Sequence, residues 1–111
     1  SEISKNVVVV YEPLTNRRQH YMKKQYKSVF SGVKKLYWLP SYLAREDPNL
    51  EILSPQELIS YLDNPEIAQA MKKNDKLKNV ILNHAKNGDM VICMAGGGGN
   101  SLDEWVRKTV V

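Results

Sequence analysis

A run of four valines followed by a tyrosine, at residues 7–11, constrains the fold of this chain more than any other feature. An unbroken β-branched run is typical of a strand that is buried on both faces, as in a parallel sheet. Helical patterns separate this run from later short apolar runs, and parallel strands need such crossover connections. The sequence therefore predicts an α/β domain with a mostly parallel sheet flanked by helices.

Short apolar runs and helix signals alternate along the rest of the chain. We expect four strands, at residues 7–11, 36–39, 51–53 and 90–94. Apolar spacing and capping signals predict the intervening helices. The first carries Met22, Tyr26, Val29 and Phe30 and ends at Gly32, the second begins with the capping box Ser54…Glu57, and a short helical piece carries Ile67 and Met71. The next is capped by Asn74 or Asp75, has His84 on its apolar face and ends at Gly88, and the last begins with the capping box Ser101…Glu104.

Length and composition indicate a single globular domain. The chain has 111 residues, of which 42% are apolar and 25% are charged, and this length leaves no room for a second core. The strand pattern predicts a core around Val8, Val10, Leu36, Trp38, Val91 and Cys93.

Cys93 is the only cysteine and lies inside the apolar run 90–94. This position predicts a buried core thiol, and the lack of a partner favours a reducing compartment over a disulfide framework. No stretch approaches the roughly 20 apolar residues that span a bilayer, and the N-terminus lacks a signal-peptide pattern. We therefore expect a soluble, cytoplasmic protein. Because Ser1 is not a methionine, we expect a processed chain or a piece of a larger one.

Positive charge is in excess, with a net charge of +4. The lysines form two groups: Lys23, Lys24, Lys27, Lys34 and Lys35, and then Lys72, Lys73, Lys76 and Lys78. We favour solvated helix faces over a nucleic-acid surface, because no Gly-Arg pattern interleaves with these lysines. An anionic small molecule remains compatible with this charge.

Three loops should meet at the carboxyl ends of the strands, where ligands of such sheets bind: residues 12–18, 40–48 and 95–100. In the first, Arg17 and Arg18 stand where a helix begins, at a cost of about 0.3–1 kcal/mol per cation. An anion could offset that cost, with Thr15 or Asn16 as the cap and an arginine as a planar donor to a carboxylate or phosphate. The alternative is a pair of exposed arginines that contact Glu12 or Asp47 loosely.

The other two loops allow both structural and functional interpretations. Arg45 could hold a substrate carboxylate, but pairing with its neighbours Glu46 and Asp47 is the simpler interpretation, and Tyr42 could line the site or lie on the surface. The four glycines at residues 96–99 match neither a dinucleotide fingerprint nor a P-loop. Close packing of the last helix is their expected purpose, with ligand contact as the alternative. His20 is assigned no role.

Several motifs, in order and spacing, resemble the C-terminal domain of the Mur ligases, the ATP-dependent enzymes that build the peptide of the peptidoglycan precursor. They are VVVVYEP leading to TNRR, then LPSYLAREDP, LSPQELI and NGDMVICMAGGGGNSLDEW. The resemblance spans nearly the whole chain and is greatest to UDP-N-acetylmuramate:L-alanine ligase and to the relative that attaches a recycled peptide. It implies a three-layer, Rossmann-like domain that closes over a central ATP-binding domain.

The resemblance also implies which residues bind substrate. The family's arginine-bearing loop, similar to residues 16–18 here, holds the carboxylate of the incoming amino acid. We extend this set to both nearby loops, which gives Thr15, Asn16, Arg17, Arg18, Tyr42 and Arg45. No catalytic residue and no metal ligand is assigned. Alanine-adding members read His-Arg-Tyr-Ser-Arg after the proline, so only Arg18 aligns directly, and the YEP and TN motifs are closer to the recycling relative.

The resemblance implies an enzyme only in the context of a longer chain. The partners would be UDP-N-acetylmuramate, an amino acid or peptide substrate, and the remaining Mur ligase domains, with no nucleic acid and no membrane. ATP and Mg²⁺ would be bound mainly by a central domain that this sequence does not contain, and the first strand of the family's domain is also missing. We therefore expect the isolated chain to be inactive. Two other classes stay open: a stand-alone module for an anionic metabolite or nucleotide, and a basic nucleic-acid-binding domain, whose binding would depend steeply on salt.

Overall fold

Four parallel strands form one sheet in the order β3-β2-β1-β4. The computed structural model describes residues 6–43, 46–95 and 101–110. The strands are β1 (Val7–Glu12), β2 (Lys35–Trp38), β3 (Ala68–Ala70) and β4 (Met90–Ala95), and the helices are α1 (Asn16–Met22), α2 (Pro55–Ile59), α3 (Asp75–Lys86) and α4 (Leu102–Thr109), with short 3₁₀ helices at Lys23–Tyr26 and Pro65–Ile67. The expected Rossmann-like α/β fold with a parallel sheet is confirmed.

The central strands are buried on both faces, because helices cover each side of the sheet. One core lies under α2 and the first 3₁₀ helix and consists of Val7, Val9, Tyr26, Phe30, Leu36, Trp38, Leu53, Leu58 and Leu62. The opposite core lies under α3 and α4 and consists of Val8, Val10, Tyr37, Leu39, Met71, Leu77, Ile81 and Leu102. Adjacent residues of β1 and β2 alternate between the two cores, which explains why both strands read as continuous apolar runs.

The third strand is not where the sequence predicts it. Residues 51–53 are not part of a strand, and β3 is instead formed by Ala68–Ala70 beside β2. The side chain of Asn16 takes the place of a strand neighbour: its Nδ2 donates to the carbonyl of Glu51 at 3.0 Å, and its Oδ1 accepts from the amide of Leu53 at 2.7 Å. The predicted helical piece with Ile67 and Met71 is accordingly a 3₁₀ turn that leads into β3, and Met71 follows the strand.

The first helix is shorter than its apolar spacing predicts. α1 ends at Met22, the chain tightens into the 3₁₀ helix Lys23–Tyr26, and Val29 is exposed rather than inward-facing. The tighter turn holds Tyr26 against Trp38, with ring centroids 5.0 Å apart and the rings nearly perpendicular. Gly32 has a positive φ of 85°, but it does not cap a helix as predicted, because the 3₁₀ helix already ends at Tyr26.

The prediction of a buried Cys93 is wrong. Within the described residues, β4 is an edge strand that pairs with β1 alone, and Cys93 is exposed. On the face shared with α1, no described element covers the alternate side chains Met90, Ile92 and Met94, which all remain exposed. Val8, Val10, Leu36 and Trp38 are fully buried as predicted, whereas Val91 is half-buried.

The N-terminal caps of α2, α3 and α4 follow the sequence with one exception. Ser54 and Glu57 form the complete capping box of α2, and Asn74 caps α3 by accepting from the amide of Leu77 at 3.2 Å. Ser101 occupies the N-cap of α4, but its side chain makes no capping bond, so the predicted box with Glu104 is not formed.

A polar cluster ties the amino ends of β2 and β4 to α3. His84 contacts the hydroxyl of Tyr37 through Nε2 at 2.7 Å and the carboxylate of Asp89 through Nδ1 at 2.8 Å. The other oxygen of Asp89 accepts from Lys34 at 2.8 Å. Hydrogen bonds from Lys34 and His84 hold the pKa of the Asp89 carboxyl below its usual range. His84 therefore has a structural role at the edge of the sheet opposite the loops that follow β1 and β2.

Within the described ranges, no helix has both the length and the apolar content to cross a bilayer.

Candidate functional site

The strand order identifies where a ligand should bind. The chain builds β1, β2 and β3 outward in one direction and then returns to place β4 on the other side of β1. In open α/β sheets, ligands bind where the order reverses, in the crevice at the carboxyl ends of the strands. Here that crevice opens after Glu12 of β1 and Ala95 of β4, which are paired in register. The loop after β1 is residues 12–18, which we call the arginine loop. The loop after β4 is residues 95–100, which we call the glycine loop.

The start of α1 already holds an anion, and it belongs to the protein. The carboxylate of Glu46 accepts from the backbone amides of Asn16 at 3.1 Å and Arg17 at 3.0 Å. Thr15 is the N-cap, and its Oγ1 accepts from the amide of Arg18 at 3.2 Å. The prediction of a cap at Thr15 is confirmed, but the next two amides bind Glu46 and are not aimed at a ligand.

The side chains of Arg17 and Arg18 are exposed and lie in different surroundings. Neither forms an ion pair within the part of the chain that the structure describes, so the expected contact with Glu12 or Asp47 is not found there. Arg17 borders a shallow hollow with His20, Tyr21 and Leu50.

Arg18 acts on a pair of tyrosines beside the switch point. The hydroxyls of Tyr11 and Tyr26 are 2.7 Å apart, and Tyr26 also donates to Gln19. Burial raises the pKa of both phenols, and the positive charge of Arg18 opposes that rise in each. In register, Tyr11 lies between Trp38 of β2 and Met94 of β4, and its ring packs against Trp38 with centroids 5.1 Å apart.

The arginine loop and the second loop are joined by backbone hydrogen bonds. The amide of Thr15 donates to the carbonyl of Tyr42, and the amide of Tyr42 donates to the carbonyl of Pro13, both at 2.8 Å. Thr15 has a φ of +53°, which is costly for a β-branched residue and is found where surrounding contacts fix the backbone. Thr15 and Asn16 therefore shape the loop: Thr15 through its backbone and cap, and Asn16 through its bonds to residues 51–53.

Glu12 is a site residue whose role the sequence did not reveal. Its side chain is 2% exposed, with Oε2 accepting from Lys73 Nζ at 2.7 Å and Oε1 accepting from the amide of Leu102 at 2.9 Å. The carboxylate thus does the capping that was expected of Ser101. The sequence signal for this role is a glutamate directly after a buried apolar strand, because a buried carboxylate needs a partner.

A cleft of about 380 Å³ lies beside Glu12, on the side of β2 and β3. Its lining, which we call the lysine cleft, consists of Glu12, Pro40, Ser41, Tyr42, Leu43, Lys72 and Lys73. Glu12 and Tyr11 are consecutive in a strand, so they point to opposite faces of the sheet. The lysine cleft and Arg18 are therefore on opposite faces of the same edge. Among the predicted site residues that the structure describes, Tyr42 lines this cleft.

Two of the predicted features, Arg45 and the glycines at 96–99, lie outside the described residues. Comparison of the chain with protein-family models, with curated proteins and with solved structures finds no match.

Proposed function

We propose that this chain is the C-terminal domain of a cytoplasmic, ATP-dependent Mur ligase and binds the carboxylate of the incoming amino acid or peptide. The observation that carries the proposal is the position of the arginine loop, which follows β1 at the switch point of the parallel sheet. The order and spacing of the motifs described above support the same assignment. The substrate would join UDP-N-acetylmuramate in peptidoglycan precursor synthesis.

Arg18 is the better candidate for the carboxylate contact. Of the two arginines, only Arg18 aligns directly with the family motif, and its charge is close enough to affect the pKa of both Tyr11 and Tyr26. Arg17 borders a hollow with Leu50, which belongs to the segment that leads to α2. A guanidinium offers two parallel N–H donors to a carboxylate, and this geometry fixes the orientation of an amino acid as well as its position.

Arg18 is exposed and forms no ion pair within the described ranges. Glu46 accepts from the first amides of α1 and so supplies the negative charge that the helix start favours, which offsets the cost of the two arginines there. ATP and Mg²⁺ belong to other domains of the parent enzyme in this proposal, and this domain contributes binding and orientation of the substrate.

Two observations test the assignment without kinetics. The reading frame that encodes the chain should extend upstream and encode a phosphate-binding loop. The isolated 111-residue chain should fold and show no ATP hydrolysis. ATPase activity of the purified chain would contradict the proposal that it is part of a ligase.

Steady-state kinetics of the full-length parent test the role of Arg18. Lysine cannot reproduce the planar fork, so Arg18→Lys should weaken amino-acid use by about 1.5–3 kcal/mol, the range for hydrogen bonds to charged groups. The KM for ATP should stay nearly unchanged. Arg17→Lys is the matched control, because it makes the same chemical change one position away on the same helix. If neither variant affects amino-acid use, the carboxylate site is elsewhere.

A further inference from the structure

The lysine cleft is large enough for a small ligand and is unexplained by the proposed function. Its volume of about 380 Å³ is within the range of small-molecule pockets, about 300–1,000 Å³. It opens at the carboxyl ends of β1, β2 and β3, on the face of the sheet opposite Arg18. A carboxylate held by Arg18 would leave this cleft unfilled.

The charges that line the cleft favour an anion. Its charged residues are Lys72, Lys73 and Glu12, which leaves an excess positive charge. Both oxygens of Glu12 are engaged, one by Lys73 and one by the amide of Leu102, so its negative charge is compensated within the fold. Lys72 forms no ion pair within the described ranges and is exposed. The cleft thus combines a compensated carboxylate with an uncompensated ammonium.

Ser41 adds a second polar group to the lining, a hydroxyl that lacks a hydrogen-bond partner in the part of the chain that the structure describes. Its hydroxyl is buried and has no hydrogen-bond partner among the described residues. A buried polar group in that state costs about 1–3 kcal/mol. Ser41 itself lines the cleft, and the residue as a whole is only half-buried. An oxygen of a bound ligand would accept the hydrogen bond of its hydroxyl.

We propose that the lysine cleft binds the phosphate group of a small molecule, with Lys72 as the main cation and Ser41 as a hydroxyl donor. Two lysines act as point charges, which suit a tetrahedral, doubly charged oxyanion, whereas planar carboxylate recognition favours arginine. The proposal does not depend on the ligase assignment, because it uses a different face of the sheet and none of the arginines.

Titration of the ¹⁵N-labelled 111-residue chain with inorganic phosphate tests the proposal directly. Saturable shifts are expected for the backbone amides of residues 41–43 and 72–73. Acetate at matched ionic strength should produce smaller shifts that do not saturate. Lys72→Gln should weaken phosphate binding about fivefold or more, the equivalent of one exposed charge contact of about 1 kcal/mol.

Matched variants separate site binding from general charge attraction. Lys76→Gln makes the same charge change at an exposed position in the first turn of α3, which does not line the cleft. It should leave the phosphate affinity within about twofold of the original, the difference expected from screened charge alone. Ser41→Ala should keep or raise the melting temperature, because it removes an unsatisfied hydroxyl, and should still weaken phosphate binding.

The outcomes are decisive because both lysines are exposed and neither substitution should prevent folding. Equal losses in Lys72→Gln and Lys76→Gln would show non-specific attraction and overturn the proposal. Equal affinity for acetate and phosphate would also overturn it, as would phosphate shifts confined to Arg17 and Arg18. Failure of the ligase assignment would appear separately, in the kinetics of Arg18.

Discussion

Substitution of Glu12 by glutamine should be among the most destabilising single changes on the binding edge of the sheet. Glu12 is buried after β1 and binds two groups from distant parts of the chain: Lys73, which follows β3, and the amide of Leu102, which begins α4. Glutamine has nearly the same shape, so no cavity is created. Its carbonyl oxygen can still accept from Leu102, but its amide nitrogen then faces another donor, the ammonium of Lys73.

The expected loss of stability is about 2–4 kcal/mol. A hydrogen bond to a charged group contributes about 1.5–3 kcal/mol, and a partly buried carboxylate at a helix start adds about 0.3–1 kcal/mol or more. Lys73 is 27% exposed and can turn toward water, which places the loss below the upper end of the range of about 3–5 kcal/mol for broken buried pairs. Total stabilities of about 5–15 kcal/mol make such a loss easy to measure.

Urea unfolding of four variants measures the effect. Lys73→Met should destabilise at least as much as Glu12→Gln, because it leaves the buried carboxylate with only the Leu102 amide. The double variant should lose less than the sum of the two by about 0.5–3 kcal/mol, as expected for residues in contact. Arg107→Gln is the control: its pair with Asp103 is exposed, and its loss should be at most about 0.5 kcal/mol. If Glu12→Gln costs no more than this control, the pair does not anchor α4.

Three further predictions concern the cap, the polar cluster and the thiol. Ser54→Ala should lower the free energy of unfolding by about 0.5–2 kcal/mol, measured in urea, because it removes the capping box of α2. Asp89 has a lowered pKa, so its stabilisation is present above its usual value of 3.8 and is lost as the pH falls through the folded-state value; Asp89→Asn should destabilise at neutral pH and flatten the acid branch of the stability curve. Cys93 should react with iodoacetamide in the native protein, with a rate that still rises above pH 9.0 because partial burial raises its pKa, whereas reaction only after unfolding would show a buried thiol.

Local sequence signals predict those parts of the fold that local physics determines. The valine run becomes β1, and the Ser54 and Asn74 caps open their helices as expected, because each signal acts within a few residues. The strand at residues 51–53 fails because its backbone is satisfied by Asn16, which is more than 30 residues away in the chain. β3 reads only Ala-Gln-Ala, and three small or polar residues give no strand pattern to detect.

The burial of β4 could not be predicted from its composition either. An apolar run of this length fits a central strand as well as an edge strand, and only the sheet order decides between them. The apolar run 90–94 is the sole basis for predicting that Val91 and Cys93 belong to the core. Among the strands that the structure describes, β4 has β1 as its one neighbour, so residues that would fill a core at the centre of the sheet are exposed or half-buried at its edge.

The arginine loop shows how a local penalty can be resolved at long range. Arg17 and Arg18 are unfavourable at a helix start, which predicts a compensating anion, and the structure identifies Glu46 as a source of that negative charge. The carboxylate of Glu46 supplies the negative charge that the start of α1 favours. Arg17 and Arg18 themselves form no ion pair within the described ranges. The cap therefore argues neither for nor against a ligand. What favours a ligand is the place of residues 12–18 in the fold, directly after β1, where the strand order reverses.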